Sequence, residues 1–313
     1  MRYAVIGTGA LGGYYGGRLT LSGQEVHFLL RSDYEHVKAH GLQVDSCNGS
    51  FHLEQVNAYS DTSSMPVCDV VLVCLKTVNN FKLKRMLPPL LGEGTLVVLI
   101  QNGIGVEADV QDMFPTVQLV AGLAFICSAK VAPGRVSHQC YGHINFGNYS
   151  CHDTARLDTV VAHFNAAGVK AGLVEYEEAR WKKAVWNMPF NGMTVALNTQ
   201  TDLLLGNPYT RQLIRAQMME VVTAAQYLGV ENIGEDFVQD MMDMTDAMTP
   251  YSPSMKLDYD MGRSMEIDYL YSRPLAMARR AGCSMARLEM LEAELRYLSV
   301  HRAVATRSTT SGR

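Results

Sequence analysis

The sequence predicts a mixed α/β chain in two parts. A doubly wound, largely parallel sheet domain covers residues 1–174, and an all-helical domain covers residues 175–313. Three observations carry this. Short, nearly all-apolar runs at residues 67–75 (VCDVVLVCL) and 95–100 (TLVVLI) read as strands buried on both faces, as in parallel sheets covered by helices. Through the first half these runs alternate with helix-like stretches. After about residue 175 the β-type patterns give way to helical ones.

Taken in order, residues 3–6 (YAVI) form a first strand, closed by Gly7. Residues 10–22 follow as a helix ended by Gly23, and residues 25–30 as a second strand. Residues 42–59 suggest a β-hairpin turning at Asn48-Gly49. A β-rich stretch at 119–146 has turn signals at Pro133-Gly134 and at Gly142, and residues 169–174 form a last strand. Helices are expected at 175–198, 208–228, 235–248 and 265–297, the last interrupted at Pro274. Pro189 should kink the first of these or break its hydrogen-bond ladder. The methionines between Met241 and Met248 suit a core-facing helix, and the polar tail at 306–313 should fray.

Composition narrows the classes. The chain has 313 residues, 48% hydrophobic and 19% charged, which is globular. A net charge of −4 argues against a nucleic-acid partner. No stretch approaches the ~20 apolar residues of a membrane helix, and seven irregularly spaced cysteines without C-x-x-C suit a reducing cytoplasm. No metal is expected. His36 and His40 are spaced for one helix face but lack a third ligand. Whether the chain is a monomer or a homodimer stays undecided.

Gly7-Thr8-Gly9-Ala10-Leu11-Gly12 is a G-x-G-x-x-G between strand and helix. The first glycine permits the turn, the second lets a pyrophosphate approach, and the third lets the helix pack on the strand. This is the context of a Rossmann-type dinucleotide-binding domain. At the end of the second strand an NAD site usually carries an acid, but this chain reads Leu29-Leu30-Arg31-Ser32. Arg31 can pair with a 2′-phosphate and Ser32 can add a hydroxyl, so NADP(H) is the expected cofactor. Asp33 falls beyond the strand end. Lys76, and the Gln101-Asn102-Gly103 turn, follow two further strand ends, where open α/β sheets bind ligands.

Lys183, Asn187 and Asn191 recur every four residues in an otherwise apolar stretch. On a helix they share one face, roughly 6 Å apart in rise. One ammonium and two amides suit a small substrate bearing carboxylate and carbonyl groups, although a solvated face with backbone-bonded amides would look the same.

The opening GTGALGG, Arg31, Lys76, the QNG at 101–103, the W-x-K-x-x-x-N-x-x-x-N ending at Asn191, Ser254-Met255 and Glu266-Ile267-Asp268-Tyr269 together resemble the ketopantoate reductase family. The resemblance spans nearly the whole chain. It implies an NADPH-binding first domain and a helical second domain related to the 6-phosphogluconate dehydrogenase C-terminal fold, with substrate between them. By position it implies Lys183 as catalytic lysine and Glu266 as its acidic partner. It implies Asn102, Asn187, Asn191 and Ser254 as substrate-binding, and Lys76 and Asn102 as lying beside the cofactor. The activity implied is NADPH-dependent reduction of 2-dehydropantoate in pantothenate and coenzyme A synthesis. The alternatives are another branched 2-oxo acid, or a non-catalytic NADP-binding sensor, which should have lost the polar stripe. Tyr251 stands where the family has a smaller amide-type residue, which bears on the pocket.

Overall fold

The computed structural model describes the backbone of residues 1–310 and side chains as far as His301. It divides into two compact units. The first comprises Met1–Asn102 and Val106–Tyr176, the second Gly103–Gly105 and Glu177–Arg313. The sequence placed the change at residue 174. The chain crosses between Tyr176 and Glu177, and the short segment Gly103–Gly105 groups with the helices.

The first unit is built on ten strands: β1 (Arg2–Ile6), β2 (Glu25–Leu29), β3 (Leu42–Ser46), β4 (Phe51–Leu53), β5 (Asn57–Tyr59), β6 (Val70–Val73), β7 (Leu96–Leu99), β8 (Gln118–Ala132), β9 (Arg135–Asn148) and β10 (Ala171–Val174). Their order is β4-β3-β9-β8-β7-β6-β1-β2-β5, with β10 beside β9. β1 pairs in parallel with β2 on one side and β6 on the other, so the chain order reverses at β1. That switch point is where such sheets hold ligands. β6 and β7 have no exposed residue, which explains their unbroken apolar runs. Five helices accompany the sheet: α1 (Ala10–Leu21), α2 (Tyr34–His40), α3 (Leu83–Met86), α4 (Val106–Met113) and α5 (Thr154–Ala166).

Two β readings change. β3 and β4 form the antiparallel hairpin around Asn48-Gly49, but β5 leaves it and pairs in parallel with β2. Gly142 is not a turn. With Tyr141 it takes positive φ inside β9, and the register with β8 shifts there as a bulge.

The second unit contains α6 (Tyr176–Ala196), most of it, then α7 (Thr201–Gly206), α8 (Pro208–Tyr227), α9 (Glu235–Asp246), α10 (Ser254–Asp260), α11 (Arg273–Arg280) and α12 (Ala286–Thr310). α6 is buried almost without interruption from Ala184 to Val195, as a helix apolar on nearly all sides should be. It runs through Pro189 as one helix, with the interruption confined to the hydrogen-bond ladder. The Pro189 ring leaves the Val185 carbonyl without its usual partner. Nearby, Tyr271 donates its hydroxyl to the Met188 carbonyl at 2.6 Å.

The expected helix at 265–297 is three pieces. A π-helical turn at Asp268–Ser272 runs into α11, and Gly282, at φ +83°, separates α11 from α12. Pro274 lies in the first turn of α11, where a missing N–H costs little. Met242 is buried, and Met241 and Met244 pack against the second core. The polar tail read as frayed at 306–313 is helical in backbone to Thr310, and 311–313 lie outside the described residues.

Helix α1 lies so close to the sheet that a Cβ at Gly16 would come within 2.6 Å of Phe28 and 2.9 Å of Val5. Alanine would favour the helix by about 1 kcal/mol, while overpacking two fully buried side chains costs about 1–3 kcal/mol. Gly16→Ala should therefore lower stability by about 1 kcal/mol in denaturant titration. A more stable variant would show that the helix can retreat from the sheet.

Candidate active site

The glycine loop sits at the switch point. Gly7 has φ +96°, open to glycine and strained for other residues. A Cβ at Gly12 would stand 2.4 Å from the Gly7 carbonyl oxygen, so only glycine lets the first turn of α1 close over the loop. Thr8 donates its hydroxyl to the Leu29 carbonyl at 2.9 Å, tying the loop to the end of β2. No side chain caps the N-terminus of α1, and a Cβ at Gly9 would point into open space. Ala10 and Leu11 begin the helix there, so this uncapped N-terminus could hold a phosphate group.

At the end of β2, Leu30 is 4% exposed and Arg31 and Ser32 are exposed. Asp33 is the nearest acid and is buried, held by Lys130, Ser32 and the Gly134 N–H.

Lys76 follows β6 and precedes a 3-10 turn at Thr77–Lys82. Asn102 follows β7. The two loops are stitched together by a reciprocal amide pair. Gln101 Nε2 donates to Asn80 Oδ1 at 2.7 Å, and Asn80 Nδ2 donates to Gln101 Oε1 at 3.2 Å. Gln101 Nε2 also donates to the Leu75 carbonyl at 2.6 Å. Both amides are buried, so this clamp sets where Lys76 and Asn102 emerge.

In the second unit, Lys183 and Asn187 line one small cavity with Arg180, Gly103, Ile104 and Tyr269. Asn187 is 9% exposed and Lys183 half-buried. Asn191, one turn further along α6, is not at this cavity. Its Oδ1 accepts from the Met255 N–H at 3.0 Å and faces the Ser254 hydroxyl at 3.5 Å, while its Nδ2 donates to the Asn187 carbonyl at 3.0 Å. Asn191 and Ser254 thus meet at the start of α10, and Asn191 locks that turn to α6. Glu266 is 7% exposed, and its carbonyl accepts from Leu270, so it begins the turn carrying Tyr269 to the cavity. Tyr251 packs beside the core, 6.4 Å between its ring centroid and that of Trp186. Sequence reading passed over Arg180, although Arg180, Lys183 and Asn187 are spaced three and four apart.

A dinucleotide cradle at a parallel-sheet switch point, joined to a helical unit with a lysine–amide pocket, defines the class of two-unit dinucleotide-dependent oxidoreductases. Residues 3–150 match the family described as ketopantoate reductase PanE/ApbA, and residues 175–298 match its C-terminal counterpart. The chain is 44% identical to a 2-dehydropantoate 2-reductase of Nostoc sp. over 95% of each chain. It superposes on the crystal structure of a 2-dehydropantoate 2-reductase from Geobacter metallireducens with a TM-score of 0.92 and 40% identity, covering 95% of this chain and 99% of that one. A second such structure, from Methylococcus capsulatus, gives a TM-score of 0.87 and 32% identity over 96% and 98%. The chain belongs to the ketopantoate reductase family.

Breaking the amide clamp should be felt globally. Gln101→Leu leaves the Asn80 amide buried without its partner, a loss of about 1–3 kcal/mol, measurable as a lowered melting temperature. Unchanged stability would mean that water replaces the pair.

Proposed function

We infer that this protein reduces the C2 ketone of 2-dehydropantoate to the alcohol of pantoate, with NADPH as reductant. The reading is supported most directly by the ammonium and amide of Lys183 and Asn187 lining one cavity in a chain matched to the ketopantoate reductase family on both sides. Arg31 and Ser32, exposed where an NAD site would carry an acid, favour the 2′-phosphorylated cofactor.

With its pyrophosphate held at the glycine loop, the dinucleotide would supply a hydride from its reduced nicotinamide to the ketone carbon. Lys183 then stabilises the charge developing on the ketone oxygen and donates the proton that completes the alcohol. Asn187 and Asn102 orient the carbonyl and carboxylate by hydrogen bonding. Asn191, with both ends of its amide engaged, holds the start of α10 against α6 as a positioning residue, and Ser254 supplies a hydroxyl for the substrate. Glu266 balances the lysine charge and orients the substrate hydroxyl. Lys76 adds a cation at the sheet edge for the cofactor. No helix among the described residues is long and apolar enough to cross a membrane.

The experiment is NADPH oxidation with 2-dehydropantoate beside a panel of branched 2-oxo acids. Highest kcat/KM with 2-dehydropantoate is expected, and no turnover with any of them would overturn the reading. Lys183→Ala should lower kcat by about 10²–10⁴-fold with the fold intact; near-normal turnover would remove Lys183 from the chemistry. Arg31→Ala should weaken NADPH by about tenfold or more and leave NADH nearly unchanged.

A further inference from the structure

The acid nearest the end of β2 is turned away from cofactor duty by its own contacts. Asp33 is 5% exposed. Its Oδ1 accepts from Lys130 Nζ at 2.5 Å and from the Ser32 hydroxyl at 2.9 Å, and its Oδ2 accepts from the Gly134 N–H at 3.0 Å. Burial pushes its carboxyl up, but the Lys130 ammonium, the Gly134 N–H and Ser32 together hold it below the usual carboxylate range. Both oxygens are thus engaged and the charge is matched.

Lys130 comes from β8, 97 residues along the chain from Asp33. Its side chain is 35% exposed, so the ammonium is reachable from solvent. It has three N–H donors, of which Asp33 takes one. Lys130 and Ser32 converge on the same Asp33 oxygen, which puts the ammonium beside the exposed Arg31-Ser32 segment. Gly134, in the β8–β9 turn, fixes the carboxylate from the other side.

We propose that Lys130 is a second specificity-determining cation for the 2′-phosphate of the dinucleotide, acting with Arg31, and that Asp33 is the positioning residue that holds it there. This rests on the NADPH reading above. A fork from Arg31 and an ammonium from Lys130 would meet the phosphate from two elements, and the paired Asp33 neither repels it nor binds a ribose hydroxyl.

Binding of adenosine 2′,5′-bisphosphate and of 5′-AMP by calorimetry tests this without turnover. Lys130→Met alone would leave a buried carboxylate uncompensated and destabilise the fold. The decisive variant is therefore the double Lys130→Met/Asp33→Asn, which keeps the wild-type net charge. It should bind the bisphosphate about tenfold more weakly, with 5′-AMP changed by less than about twofold. Lys130→Arg should retain the preference. Equal losses for both ligands, or a double variant with full preference for the bisphosphate, would overturn the assignment, the second outcome by showing that Lys130 serves only to neutralise Asp33. The underlying reading fails separately. A wild type with no preference for the bisphosphate, or Arg31→Ala that keeps it, sinks the NADPH reading and this proposal with it. Loss of preference in Arg31→Ala with none in the double variant sinks Lys130 alone.

Discussion

Burial of β1 on both faces, between β2 and β6, is the constraint on which the sheet's binding edge depends. Ile6 stands opposite Leu29 on one side and Val73 on the other, and Val73 stands opposite Leu99. These strands are packed so tightly that slipping one by a residue would turn core side chains toward the wrong layer. Their carboxyl ends therefore finish level. The glycine loop, the Arg31 segment, Lys76 and Asn102 all leave from that edge. The Thr8 bond to Leu29 and the Gln101–Asn80 pair then tie neighbouring loops to one another. Local chemistry at the edge inherits its precision from apolar packing beneath it.

Much of this was legible in the amino-acid order, and the failures have physical causes. Strands buried on both faces announce themselves by unbroken apolar runs, and the glycine motif by its place between strand and helix. β5 was misassigned because the Asn48-Gly49 turn is a local signal, whereas its pairing with β2 is not. Gly142 signals positive φ, but whether that makes a turn or a bulge is decided by β8 opposite. Pro274 drew attention away from Gly282, since a proline is tolerated in a first turn and a glycine at φ +83° ends a helix.

At the site, residue types with a fixed local spacing were readable and their partners were not. The four-residue rhythm of Lys183, Asn187 and Asn191 places them on one face of α6, yet the structure separates their surroundings. Lys183 and Asn187 line a cavity, and Asn191 is engaged at the start of α10. Asn80 and Lys130 carry no motif. Each matters through a contact with a distant residue, Gln101 for one and Asp33 for the other, and such contacts exist only after folding. The acidic net charge likewise says nothing of where charges sit, such as Asp33 buried and neutralised by its ion pair with Lys130.

The segment Gly103–Gly105 has a consequence for how this chain can be divided. Ile104 is 5% exposed within the apolar core of the helical unit, yet it is encoded between β7 and α4 of the other. A fragment beginning at Glu177 would be born without a piece of its own interior. One ending at Tyr176 would carry an isoleucine with its burial site missing. The two halves look like modules that could be shuffled, but the thread between them runs out, back and out again. Recombination at a single point would break one core while leaving an orphaned side chain in the other.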